Sequence, residues 1–313
     1  MKLFFRNISL FTFLSIAGYL LTLIILGETG FSKFAKNLNY KIGSPGFMYS
    51  RIREIENNHD VDVLFIGSSE TYRGFDVRIF RDANYSCFNL GSSAQTPLQT
   101  ALLLNRYIEK FQPKVVIFEA SPASFMNDGI ESELDLIAND KVDRASVKNS
   151  FLLKNLKIYN ASIYGLYRQM FNRNSGFKEN PNTKNDRYIT GGFVEKKMRE
   201  YNPTHLVNKN ALKFEPLPYQ QSAFDQIVQL TSSKGIKLFV VQAPVTRAEI
   251  ESYSNYGAAD SFFQSRATYT NFNYKLKLQD SIHFFDKVHL NQSGVKKFDS
   301  AVIVDILKPW FKR

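Results

Sequence analysis

The sequence predicts an α/β fold of three layers, α/β/α, on a mostly parallel five-stranded sheet, with one apolar helix ahead of it. Three observations carry this. Short apolar runs recur after turn signals, amphipathic helical patterns lie between them, and the stretch Ile8 to Leu26 holds no charge. Apolar strands that alternate with helices point to a parallel sheet covered on both faces. With 313 residues, 44% of them hydrophobic, the chain can bury a core of that size.

In chain order, Ile8 to Leu26 comes first, preceded by Lys2 and Arg6. A spanning helix needs about 20 mostly apolar residues, and this run is long enough. It ends Leu26-Gly27-Glu28-Thr29-Gly30, a poor cleavage site, which favours an uncleaved anchor (residues 1–27) over a removed signal. Residues 28–58 are polar and basic, broken by Gly43, Pro45 and Gly46, and read as a stalk leading into a short helix near Arg51 to Asn57. Lys33, Lys36 and Lys41 offset the basic N-terminal end, so charge barely discriminates the orientation of the span.

From residue 59 onward the α/β rhythm begins. Strands are expected at Val61–Ile66, Lys114–Glu119, Ile236–Val241 and Ser281–Phe285, with a weaker one at Tyr85–Asn89. Helices are expected at Pro97–Phe111, Tyr219–Ser233 and Gly294–Phe311, where apolar residues fall at helical spacing. Residues 125–216 do not fit. They are rich in Asn, Lys, Arg and Tyr, with a weak helix at Ser146–Phe171, and read as an insertion over the sheet that could act as a lid.

Composition excludes several functions. One cysteine, Cys87, rules out an internal disulfide framework and a cysteine metal cluster. A net charge of +11 without a Lys/Arg run or a Gly-rich phosphate loop argues against nucleic acid. A mean hydropathy of −0.26 excludes a polytopic membrane protein.

Three short motifs can carry chemistry. Gly67-Ser68-Ser69-Glu70 follows the first strand, where small residues allow a sharp turn that exposes a side chain above the sheet. The alternative is an ordinary turn whose serine caps the next helix. Asp286-Lys287-Val288-His289 lies just before the C-terminal helix, and an Asp three residues before a His can hold its tautomer. The alternative is a surface pair. Asn89-Leu90-Gly91-Ser92-Ser93 follows the weak strand, and the N–H groups of Ser69 and Gly91 could bind an oxyanion. The alternative is a simple turn. Arg73 is a candidate substrate contact or a structural charge.

All three motifs fall at carboxyl ends of expected parallel strands. In that order they resemble the SGNH (GDSL-like) hydrolase superfamily, over about Val61–Ser121 and Lys234–Arg313. Its first block, Gly-Asp-Ser, corresponds to Gly67-Ser68-Ser69; its second-block glycine to Gly91; its Asp-x-x-His to Asp286 and His289. The Gly-Ser-Ser form looks like that of membrane-anchored members such as the teichoic-acid D-alanylation protein, and the anchored layout resembles that of alginate O-acetyltransferase-like proteins. The resemblance implies a flavodoxin-like SGNH fold with Ser69 as nucleophile, His289 as base and Asp286 as its orienter. It also implies Ser69 and Gly91 as oxyanion donors, and no metal or organic cofactor.

The third-block Asn is missing, since the strand continues Glu119-Ala120-Ser121-Pro122-Ala123-Ser124. Ser121, Ser124 or Asn127 are the available substitutes. The implied function is an extracytoplasmic esterase or O-acyltransferase on the acyl esters of a cell-envelope polysaccharide, anchored in the cell membrane, with a multi-span acyltransferase as partner. The alternative is a catalytically weak or inactive glycan-binding or assembly factor of the same fold.

Overall fold

The computed structural model describes residues 1–30, 35–43, 46–57, 59–197, 201 and 211–312; Lys33, Pro45 and His205 lie outside them. Seven strands occur among the described residues: β1 Val63–Ile66, β2 Cys87–Asn89, β3 Val115–Glu119, β4 Asp186–Ile189, β5 Phe193–Lys196, β6 Lys237–Gln242 and β7 Thr268–Asn271. Five of them form one sheet in the order β2-β1-β3-β6-β7, every neighbour parallel. β4 and β5 form a separate antiparallel hairpin.

In this order the winding reverses between β1 and β3. Open parallel sheets bind ligands outside the carboxyl ends of their strands at such a reversal. Ser69 follows β1 and Ser121 follows β3, so both stand at that edge.

Alternation along the strands sends side chains to two covered faces. On one face Phe65 packs against Phe75 and Phe80, and Phe298 of the helix Gln292–Val302 closes on Phe75 and Phe272. On the other, Phe88 meets Phe111 of the helix Pro97–Phe111, and Phe118 meets Phe224 of the helix Pro218–Ser233. The three-layer expectation holds, and four of the five expected strands appear where the apolar runs lie.

The fifth does not. Ser281–Phe285 is no strand: Asp280–His283 is one helical turn, and Phe284 makes only an isolated antiparallel bridge to Leu290. The Gln279 N–H binds His283 Nδ1, and the Asn291 amide reaches back to the Ile282 carbonyl, so local bonds outcompete a ladder. The fifth place is taken by β7, Thr-Tyr-Thr-Asn, whose polar residues show no strand pattern because an edge strand faces water on one side. The expected helix Ser146–Phe171 is broken in two, Arg144–Leu153 and Leu156–Met170, by Lys154 in the left-handed region.

The chain divides into two compact units. One joins residues 1–42 to residues 133–178, so half of the expected insertion groups with the apolar N-terminal helix, Lys2–Glu28. The other comprises residues 43–132 and 179–313 and holds the sheet, the hairpin and the short helix Met48–Ile55 that ends the expected stalk.

Phe298 is fully buried at the centre of one face. Phe298→Ala should cost about 3–5 kcal/mol in urea unfolding of the full chain in detergent; a loss under about 1 kcal/mol would contradict this packing.

Candidate active site

The turn after β1 places the first candidate. Gly67 has φ +137°, and a Cβ there would lie 2.4 Å from Thr71 Oγ1 and 2.6 Å from the Glu119 carbonyl oxygen. Only glycine fits both the angle and the space. Ser68 then caps the helix Ser69–Gly74: its Oγ accepts the Glu70 N–H at 3.3 Å, and its hydroxyl donates to Glu70 Oε2. The capping alternative is therefore correct for Ser68. Its neighbour Ser69 is left as the first helical residue, whose N–H has no intrahelical partner.

Asp286 and His289 sit in a loop pinned at both ends. The Phe284–Leu290 bridge closes it, Asn291 caps the helix that follows, and Thr246 binds the Lys287 carbonyl through its N–H at 3.0 Å and its hydroxyl at 2.9 Å. His289 Nδ1 lies 2.8 Å from Asp286 Oδ2 and 3.0 Å from Oδ1, while Nε2 lies 2.8 Å from Ser69 Oγ. Asp286 Oδ1 also accepts the N–H groups of Val288 and His289. The Phe285 ring stacks on the imidazole at 5.3 Å with 3° between planes.

Each contact has a chemical consequence. Burial pushes the Asp286 carboxyl up, but the hydrogen bond and charge of His289, with the N–H groups of Val288 and His289, outweigh it and bring it down to about 2. An ionised Asp286 keeps the proton on Nδ1 and leaves Nε2 free to accept from the Ser69 hydroxyl. Ser69, His289 and Asp286 thus stand in hydrogen-bond series, the arrangement by which a base can activate a hydroxyl.

The remaining candidates fare differently. Gly91 presses against the Ser69–Gly74 helix, where a Cβ would come within 2.9 Å of Thr71 Cβ and 3.0 Å of the Ser68 carbonyl. Its N–H, however, donates to Asn89 Oδ1 at 3.1 Å, so the expected oxyanion donor is already engaged. Arg73 is not a free substrate contact. It is buried, pairs with Asp186 of the hairpin at 2.8 Å, and lies over the Tyr72 and Phe285 rings. Ser121 is buried and lines a cleft with Glu70, Glu119 and Val288, beside the Ser69–His289 pair in sequence. Ser124 and Asn127 serve local turns: the Ser124 hydroxyl binds the Ser121 carbonyl, and Asn127 Oδ1 accepts the Gly129 N–H.

Sequence reasoning missed Glu70 and Glu119. Glu119 ends a buried strand, is 2% exposed, and leaves Oε2 without a hydrogen-bond partner. Burial, and then the charge of Glu70, push it well above the ordinary carboxylate range, against weaker pulls from the Ala243 N–H and the Ser68 hydroxyl. The signal was present as a lone acid closing the run Val115–Phe118. Among the described residues no group of three or more His, Cys, Asp or Glu side chains could hold a metal ion.

A scan against protein-family models matches none, and a search of curated proteins finds no relative. Among solved structures the chain is similar to a GDSL-like lipase from Bacteroides thetaiotaomicron, at 14% identity and TM-score 0.37 over 79% of this chain and 88% of that one. It is similar also to a family 3 carbohydrate esterase of Clostridium thermocellum, at 12% and 0.38 over 79% and 98%. A mutant acetyl-xylooligosaccharide esterase from Geobacillus stearmophilus matches at 12% and 0.39 over 80% and 95%.

Glu119 gives a pH test. Its raised pKa means that the folded state favours the neutral acid. That contribution is whole below the ordinary value of 4.5 and is lost as pH rises through the folded value. Glu119→Gln cannot ionise. Its melting temperature should gain on the wild type as pH climbs from 4.5 towards neutrality; parallel curves would refute the assignment.

Proposed function

We propose that this chain is a serine esterase or O-acyltransferase of SGNH type, anchored by its N-terminal helix and acting outside the cytoplasm on acyl esters of a cell-envelope polysaccharide. The observation that carries the catalytic part is the series Asp286–His289–Ser69, with 2.8 Å at each link. The anchor part rests on Lys2–Glu28, one helix long and apolar enough to cross a membrane by length and composition. The polysaccharide and the extracytoplasmic side rest on the sequence resemblance.

The chemistry follows from the geometry. Ser69 Oγ attacks the ester carbonyl carbon while His289 Nε2 takes its proton. The tetrahedral intermediate collapses, the C–O bond to the leaving alcohol breaks, and Nε2 returns the proton to that alcohol. The acyl group stays on Ser69 until water or a sugar hydroxyl, deprotonated by Nε2, attacks the acyl carbon and releases the serine. Asp286 stabilises the imidazolium formed in each half.

Oxyanion binding is thinner. The Ser69 N–H is one donor; the Gly91 N–H is a second only when it leaves Asn89 Oδ1. Losing one such donor typically costs about 10²–10³ in rate. This favours a second reading, a weakly active or inactive glycan-binding protein of the same fold.

A serine-directed fluorophosphonate separates the two. The full chain in detergent should gain one adduct at Ser69, abolished by Ser69→Ala and by His289→Ala. Asp286→Asn, with the wrong tautomer, should slow turnover by about 10⁴. A folded protein that takes up no label would leave the binding reading.

A further inference from the structure

The unit that contains the N-terminal helix holds one helix of inverted polarity. Arg144–Leu153 buries Ser146, Asn149 and Ser150 and turns Phe151 and Leu152 outward. Inside, the Ser150 hydroxyl bonds the Ser146 carbonyl and meets the Ser162 hydroxyl, each at 2.9 Å. At the tip, Phe151, Leu152 and Leu156 are 66, 46 and 52% exposed, flanked by exposed Lys154 and Lys157.

The long helix fixes the level of that tip. From Lys2 to Tyr19 every residue is exposed; from Leu20 to Glu28 the helix packs within its own unit. These eighteen bare residues span about 27 Å at 1.5 Å each, close to the ~30 Å hydrocarbon thickness of a bilayer; unlike the charge-free run Ile8–Leu26 they include Lys2 and Arg6 at the far end, and Leu20–Leu26 packs in the unit instead. The helix Leu156–Met170 runs parallel to the packed part. The Tyr19 hydroxyl donates to Asn160 at 2.6 Å, Leu23 packs with Tyr164, and Arg168 pairs with Glu28 at 3.0 Å. Leu156 therefore lies about one turn beyond Asn160, toward the bare segment, one turn past the level of Tyr19, at which that segment ends.

We propose that the Phe151–Lys157 tip is a second membrane contact, dipping its apolar side chains into the acyl–headgroup boundary beside the anchor. Three features select a lipid surface as occupant: continuity with the bare anchor, the outward apolar residues of a helix whose inward residues are polar, and lysines placed to reach anionic headgroups. The inference rests on the anchor part of the proposed function and not on its catalytic part.

Depth-dependent quenching tests it. The full chain has one tryptophan, Trp310, which is replaced by Phe. Single reporters are then introduced by Leu152→Trp at the tip, Leu14→Trp in the anchor and Met170→Trp at the far end of the helix Leu156–Met170. Each variant is reconstituted in phosphatidylethanolamine–phosphatidylglycerol vesicles with brominated acyl chains. The Leu152→Trp and Leu14→Trp emissions should shift to the blue and be quenched, the former most by bromines nearest the headgroup; Met170→Trp, about 21 Å along the helix from Leu156, should do neither. Quenching of Leu14→Trp alone overturns the tip contact and leaves the anchor standing. Blue-shifted but unquenched Leu152→Trp emission overturns it in favour of a protein cover. No quenching of either removes anchor and tip together. Fluorophosphonate labelling of Ser69 in the same vesicles reports the catalytic part independently.

Discussion

One hydrogen bond joins side chains 220 positions apart, Ser69 Oγ and His289 Nε2 at 2.8 Å, and the rest of the candidate site is arranged around it. It requires the turn after β1 and the loop before the C-terminal helix to arrive at the same edge. The parallel sheet supplies the edge. Gly67 supplies the turn, since no other residue tolerates both its angle and the nearness of the Glu119 carbonyl. Thr246, at the exit of β6, grips the Lys287 carbonyl between Asp286 and His289. Strands β1 and β6 thus set the two halves of a contact that neither could hold alone.

Much of this was legible in the residues. Apolar runs with turn signals located β1, β2, β3 and β6, and the helix Pro97–Phe111 matched its periodicity to the residue. Ser69 came from its place at a strand end; Asp286 and His289, which follow a helical turn instead of the expected strand, came from a family likeness of motif order. What stayed hidden is what depends on neighbours distant in sequence. β7 is polar because it lies at an edge, and Ser281–Phe285 looked like a strand although its backbone bonds are local. The Arg73–Asp186 pair joins a helix to a hairpin 113 residues away, and nothing near Arg73 announces it. The engagement of Gly91 by Asn89 is local, yet a Gly two residues after an Asn reads equally well as a free donor.

The site is better equipped to move a proton than to bind an anion. Asp286 stays ionised over any physiological range and holds the imidazole by two oxygens. Glu70 follows Ser69 in the chain and lines one cleft with Glu119, whose carboxyl is pushed well above the ordinary carboxylate range by burial and by the charge of Glu70.

The pairing of Tyr19 with Asn160 has a consequence for biosynthesis. The two residues are 141 positions apart, and at about 5–20 residues per second the second follows the first by roughly 7–28 s. The apolar helix leaves the ribosome long before its packing partners are made. β1, β2 and β3 also emerge in that interval. The helices of residues 133–178 must therefore assemble late, on a surface already committed, so an early error in placing the first helix would strand them without the partner their apolar sides require.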